Sequence, residues 1–261
     1  MITKLLEFNN QSEALLRGIL ATEQEFRKDY AVVMLGGFER AGTTDPKFKS
    51  LADRLAEAGI ASFRFDVSGC GLSDGDFYHQ TTESLSAELQ NAVELLKGQG
   101  YQKFVLVGHS QAGCAIALAW IKIRPAKIVL IAPALNQQDL LRLWFAQKNN
   151  KEIKIGWANY KNYFQEEEFL ANVQQDMVAK SHKLNYLYRF ENKDRDYSQN
   201  LADFPTDNLL CIHGDNDQVV PLESLKLDFK NKIIVAQGDH DLVKPGAIEQ
   251  WIDKAVDFIE L

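Results

Sequence analysis

Apolar and polar positions alternate along this chain in two different rhythms. Short apolar runs at 5–8 and 15–20 flank the polar stretch NNQSE, a spacing that predicts an opening antiparallel pair. YAVVMLGG (30–37) and IASFRFDV (60–67) read as strands. Between them, FKSLADRLAEAG (48–59) places its apolar residues at helical spacing and stops at a glycine. TTESLSAELQNAVELLKGQG (81–100) predicts an amphipathic helix capped by Thr82. KFVLVGH (103–109) is a continuous apolar strand, 110–123 a helix, and KIVLIAP (127–133) a further strand. Strands that are apolar on both faces and alternate with helices predict an α/β fold: a mostly parallel, doubly wound sheet with helices on both sides.

After Pro133 the rhythm changes. Residues 134–204 are helical in pattern and rich in aromatics that read as exposed: Trp144, Phe145, Trp157, Tyr160, Tyr163, Phe164, Tyr186 and Tyr188. The α/β alternation returns with NLLCIHGD (208–215) and NKIIVAQGDH (231–240), and a last helix, GAIEQWIDKAVDFIEL, follows Pro245. The expected organisation is one core domain, 1–133 with 205–261, interrupted by a helical cap or lid at 134–204. An insertion between late strands lies over their carboxyl ends, where such sheets bind ligands. Its aromatic content suits an apolar pocket, so Trp144, Trp157 and Tyr160 are expected to meet a substrate, together with Gly37.

Length and composition narrow the possibilities. The 261 residues suit one large domain, and 46% hydrophobic residues support a full core. A net charge of -7 argues against a nucleic-acid partner. Cys70, Cys114 and Cys211 form neither a disulfide framework nor a zinc pattern, and read as reduced, packed thiols. The first residues lack the apolar core of a signal peptide, and no apolar run approaches a membrane span. A cytoplasmic monomer or homodimer acting on a small molecule is the expectation.

Chemistry enters at LVGHSQAGCA (106–115). Gly108-His109-Ser110-Gln111-Ala112-Gly113 contains G-x-S-x-G between an apolar strand and a helix. That context puts Ser110 on a sharp strand-to-helix turn, with its hydroxyl clear of the sheet and beside the helix N-terminus. A serine nucleophile needs a histidine base, and the base needs an acid to orient it, in the chain order serine, acid, histidine. Of the five histidines, His79 and His109 precede the serine, His182 lies in the insertion, and His213 reads as a packed strand residue. His240, just past the last strand, remains. For the acid, Asp217 in IHGDNDQVVP is preferred over the turn residue Asp215, with Glu223 third. The oxyanion hole needs two backbone N–H groups, expected from Gln111 and from the loop after YAVVMLGG, at Phe38 or alternatively Gly37. Acyl transfer by these groups requires no metal and no organic cofactor.

Through GHSQAG (108–113), RFDVSGCGLSDG (64–75), HGDNDQVVP (213–221) and GDH (238–240), the chain resembles the α/β-hydrolase superfamily. Within it, the resemblance is to small serine carboxylesterases of the feruloyl/cinnamoyl-esterase type, related to monoacylglycerol lipases and serine aminopeptidases. The resemblance implies Ser110 as nucleophile, Asp217 as acid and His240 as base, acting on a small ester. Arg64, Asp66, Gly69 and Gly71 match the family's structural loop after the fourth strand. Two positions depart from the pattern: Gly36 stands where relatives carry a histidine before the oxyanion residue, and Cys70 where they commonly have histidine between two glycines. A thioesterase, a lipase, an aminopeptidase or a non-catalytic ligand-binding protein remain alternatives on the same fold.

Overall fold

The computed structural model describes residues 1–22, 27–179 and 186–260. In chain order the elements are β1 (Ile2–Asn9), β2 (Leu15–Thr22), β3 (Arg27–Leu35), α1 (Pro46–Glu57), β4 (Ile60–Phe65), α2 (Thr82–Gly98), β5 (Lys103–His109), α3 (Ala112–Ile123), β6 (Lys127–Ile131), α4 (Gln137–Asn149), α5 (Glu166–Ala179), α6 (Tyr186–Asn192), β7 (Leu209–Gly214), β8 (Asn231–Val235) and α7 (Ile252–Ile259). Eight strands form one sheet in the order β1-β2-β4-β3-β5-β6-β7-β8. β1 and β2 pair antiparallel, β2 joins β4 antiparallel, and every later pairing is parallel. This is the mostly parallel α/β sheet that the apolar rhythm predicts.

Side chains alternate across the sheet with a period of two, so each central strand feeds two cores. Ala31, Val33 and Leu35 of β3 pack on the side of α2 and α3, with Leu89, Ala92 and Ile116. Tyr30, Val32 and Met34 face the other way, toward Phe48, Leu51 and Leu55 of α1 and Ile252, Ala255 and Ile259 of α7. The three cysteines are buried and unpaired. Among the described residues, no helix is long and apolar enough to cross a membrane.

Several boundaries differ from the sequence reading, each for a local reason. The cap of α2 is Thr81, not Thr82. The Thr81 hydroxyl accepts from the Ser84 N–H at 3.0 Å while Ser84 Oγ accepts from the Thr81 N–H at 2.8 Å. α1 begins earlier than expected, at Pro46, because Asp45 caps it through the Lys47 N–H at 3.0 Å. α3 begins at Ala112 because Ser110 is left-handed, and the last helix is delayed to Ile252 by a loop through Gly246. In 134–204, Phe145, Tyr160, Tyr186 and Tyr188 are buried rather than exposed. Phe145 and Tyr188 pack with Leu141, Phe169 and Val173, joining α4, α5 and α6, while Tyr160 packs with Leu140 and Leu143 of α4.

Candidate active site

Ser110 sits where β5 hands over to α3. Its φ of 55° is unusual for a residue with a side chain and holds it off both elements. The turn is tied on both sides: Ser110 N–H donates to Ile131 O at 2.9 Å, and Ser110 O accepts from Gly113 and Ala134 at 3.0 and 3.1 Å. Gly108 lets α3 cross the strand this closely, since a Cβ there would lie 2.6 Å from Ile116 Cδ1.

Two later strand ends bring partners to this serine. His240 follows β8 and points Nε2 at Ser110 Oγ, 3.0 Å away. Its Nδ1 lies 2.8 Å from Oδ2 of Asp217, which follows β7. The loops carrying these residues touch through their backbones, and a Cβ on Gly214 would fall 2.2 Å from Gly238 O. Asp217 is 4% exposed. Its Oδ1 accepts the Val219 and Val220 N–H groups at 2.9 and 2.8 Å. Burial alone would raise its pKa, but hydrogen bonds from His213, His240 and Val220, with the nearby His240 charge, hold the carboxyl below its usual range. Asp215 is exposed in the turn, where its N–H donates to Val235 O, and Glu223 is also exposed. Neither forms part of this cluster.

The remaining histidines divide in three. His79 is exposed beside Asp76, and His182 lies outside the described residues. His109 and His213 are buried against the cluster itself. His109 Nε2 meets the His240 carbonyl at 2.9 Å. Burial pushes the His109 pKa well down, so the ring is neutral and donates from Nε2, leaving Nδ1 bare. His213 is more than the packed strand residue that its sequence suggests. Its Nε2 lies 2.8 Å from Val220 O and 3.4 Å from Asp217 Oδ2. Both residues adjoin the motifs already singled out, and a histidine at an inward strand position was the available signal.

The backbone N–H groups of Phe38 and Gln111 have no partner among the described residues. With glycine at 36, the loop after β3 is held from elsewhere. Asp66 accepts from the Thr43 N–H, the Thr43 hydroxyl and the Leu72 N–H at 2.8, 2.7 and 2.8 Å, tying the loops after β3 and β4 together. Phe77 meets the Phe38 ring edge-on at 5.0 Å, and Tyr188 of α6 lies tilted against it at 5.2 Å. Tyr188 is itself fixed by donating to Gln137 Oε1 at 2.5 Å.

A cavity of about 460 Å³ opens onto Ser110, Gln111 and His240. Its walls are largely apolar: Phe38, Leu141, Trp144, Phe145, Tyr188 and Val219, with Gly37 beside them. Trp144 is thus in the expected place, its indole N–H donating to Val219 O at 2.7 Å. Trp157 and Tyr160 are not. They pack behind α4, on its Leu140 and Leu143 face, and the buried Tyr160 donates its hydroxyl to Asp139 at 3.2 Å. The three cysteines offer no competing nucleophile, since burial pushes Cys70 up to about 12 and raises Cys114 and Cys211 as well.

An eight-stranded, mostly parallel sheet with a serine at the turn after its central strand defines an α/β-hydrolase. The chain belongs to the serine aminopeptidase S33 family of that superfamily, whose model matches residues 28–242. Three solved structures show the same fold at low identity. Est1E from Butyrivibrio proteoclasticus, with ferulic acid bound, is 18% identical over 97% of both chains, with a TM-score of 0.72. An esterase from Pyrococcus furiosus is 15% identical, covering 99% of this chain and 90% of its own, with a TM-score of 0.68. The esterase EaEST from Exiguobacterium antarcticum is 15% identical over 97% and 98%, with a TM-score of 0.66. A sequence search of curated proteins finds no match.

Proposed function

We propose that this chain hydrolyses small carboxylic esters, with aromatic or acyl groups of the feruloyl/cinnamoyl kind, through a covalent serine intermediate. One observation carries the reading: Ser110 Oγ, His240 and Asp217 are linked by contacts of 3.0 and 2.8 Å at the wall of an apolar cavity. His240 Nε2 takes the Ser110 proton as Oγ attacks the ester carbonyl. Asp217 fixes the ring so that Nδ1–H faces the carboxylate and Nε2 faces the serine. The carbonyl oxygen, now negative, lies against the Phe38 and Gln111 N–H groups. His240 then gives its proton to the departing alcohol, and a water activated the same way releases the acid. Residues 134–204 serve as the cap that shapes the acyl site, and no cofactor takes part.

Peptide-bond hydrolysis from a free amino terminus is the other reading that the family name raises. It needs an anion to hold the substrate's ammonium. Among the described residues lining the cavity, the one carboxylate is Asp241, already paired with Arg40 at 3.2 Å. An ester without an ammonium group fits better.

Labelling with a fluorophosphonate probe tests the proposal. The wild-type chain is expected to label rapidly, and Ser110→Ala and His240→Ala to remain unlabelled while keeping their folded circular-dichroism spectra. Labelling that persists in folded Ser110→Ala would refute the assignment.

A further inference from the structure

The chain is acidic overall, yet the cavity beside Ser110 is not. Among its described lining residues are three cations, Arg40, Lys148 and Arg189, against the single carboxylate of Asp241. Two of these cations are already answered. Arg40 pairs with Asp241 at 3.2 Å, and Arg189 is held by Asp176 and by Asn172. Lys148 has no ion pair among the described residues, and it is exposed at the cavity's edge. Its place on α4 is regular. Leu141, Trp144, Phe145 and Lys148 fall at i, i+3, i+4 and i+7, so one helix face lines the cavity and ends in a positive charge. Two turns separate Leu141 from Lys148, roughly 10 Å along the helix. A ligand lying along this face passes apolar rings before reaching an ammonium group that nothing in the described protein neutralises. A charge beside an apolar wall is also less screened than one in open water.

We propose that the substrate is an ester carrying a second, anionic group remote from the scissile bond, and that Lys148 recognises that group. This rests on the ester-hydrolase reading of Ser110 and names the chemistry of its substrate: a half-ester of a dicarboxylic acid, or an ester whose alcohol carries a carboxylate. The apolar walls hold the chain or ring between the two ends, and Lys148 selects for charge at the far one. The effect is electrostatic, so it weakens as salt is added.

Two pairs of esters test the proposal on the intact chain. In the first, the charge is on the acyl arm: mono-para-nitrophenyl adipate against its methyl ester. In the second, it is on the alcohol arm: para-carboxyphenyl hexanoate against its methyl ester. Reading the ratio of kcat/KM within each pair cancels any general loss caused by a substitution. Wild type is expected to favour the anionic member of one pair by roughly fivefold or more, and that pair identifies the arm. In Lys148→Met the ratio falls to within about twofold of unity, and in Lys148→Glu it inverts. Ratios in both pairs that are unaltered by Lys148→Met would overturn the proposal. Fluorophosphonate labelling run alongside separates the two claims. If wild type neither labels nor turns over any ester, the hydrolase reading fails by itself. Calorimetric binding of monomethyl adipate against dimethyl adipate then decides the charge claim, and equal binding to wild type and Lys148→Met refutes it.

Discussion

Asp217 is a carboxylate with its donors supplied by the protein. Two come from the backbone of Val219 and Val220, one from His240, and His213 Nε2 stands 3.4 Å away. Losing the charge while keeping the shape, in Asp217→Asn, leaves His240 in the wrong tautomer, and kcat is expected to fall by roughly 10⁴. Asp215→Asn, at an exposed turn, leaves kcat within about twofold of wild type. Steady-state hydrolysis of one ester by both variants checks the pair. The same residue shapes acid stability. A carboxyl held below its ordinary range stabilises the fold at every pH above its unfolded value of about 3.9, and loses that contribution as pH falls through the folded value. The Tm difference between wild type and Asp217→Asn is therefore expected to be level above about pH 5 and to shrink below about pH 4. A difference that grows toward acid would reverse the sign assigned here. The order of Ser110, Asp217 and His240, each just past an apolar strand, makes these three legible in sequence as one cluster. The parts played by His109 and His213 are not, because a histidine that braces a neighbour carries the same local pattern as one that merely packs.

α4 explains the error over Trp157 and Tyr160. The helix is apolar on two faces: Leu140 and Leu143 look one way, Leu141 and Phe145 the other, and Trp144 packs against both clusters while lining the cavity. Composition identifies such a helix as buried but cannot say which face meets a ligand. By contrast, the early start of α1 was available in Asp45-Pro46, a cap followed by proline at the first helical position. α6 carries a consequence of its own. Tyr188 presses on Phe38, whose N–H is the proposed oxyanion donor, so an element of the 134–204 segment holds the loop after β3 in place. Tyr188→Leu removes this ring contact and the bond to Gln137. We expect kcat to drop about tenfold with a smaller change in KM, because the donor matters most in the transition state. Pre-steady-state acylation rates with an activated ester would measure it. An unchanged acylation rate would show that the loop needs no support from α6.

At the scale of the molecule, alternation of strands and helices reveals the class of sheet, whereas strand order is set by contacts far apart in sequence. β4 lies between β2 and β3, a neighbour relation that no local pattern encodes. That long-range construction also orders events in time. Ser110 and His240 are 130 positions apart, and His240 arrives only after β8, the strand that ends one edge of the sheet. At a synthesis rate of about 5–20 residues per second, a growing chain holds its serine for roughly 6–26 s before the histidine is made. Ribosome-stalled chains that stop short of 240 are expected to take up no fluorophosphonate, and released full-length chains to take it up at once. On the proposed reading the hydroxyl is made early and armed late, so an unfinished polypeptide carries its serine without being able to use it.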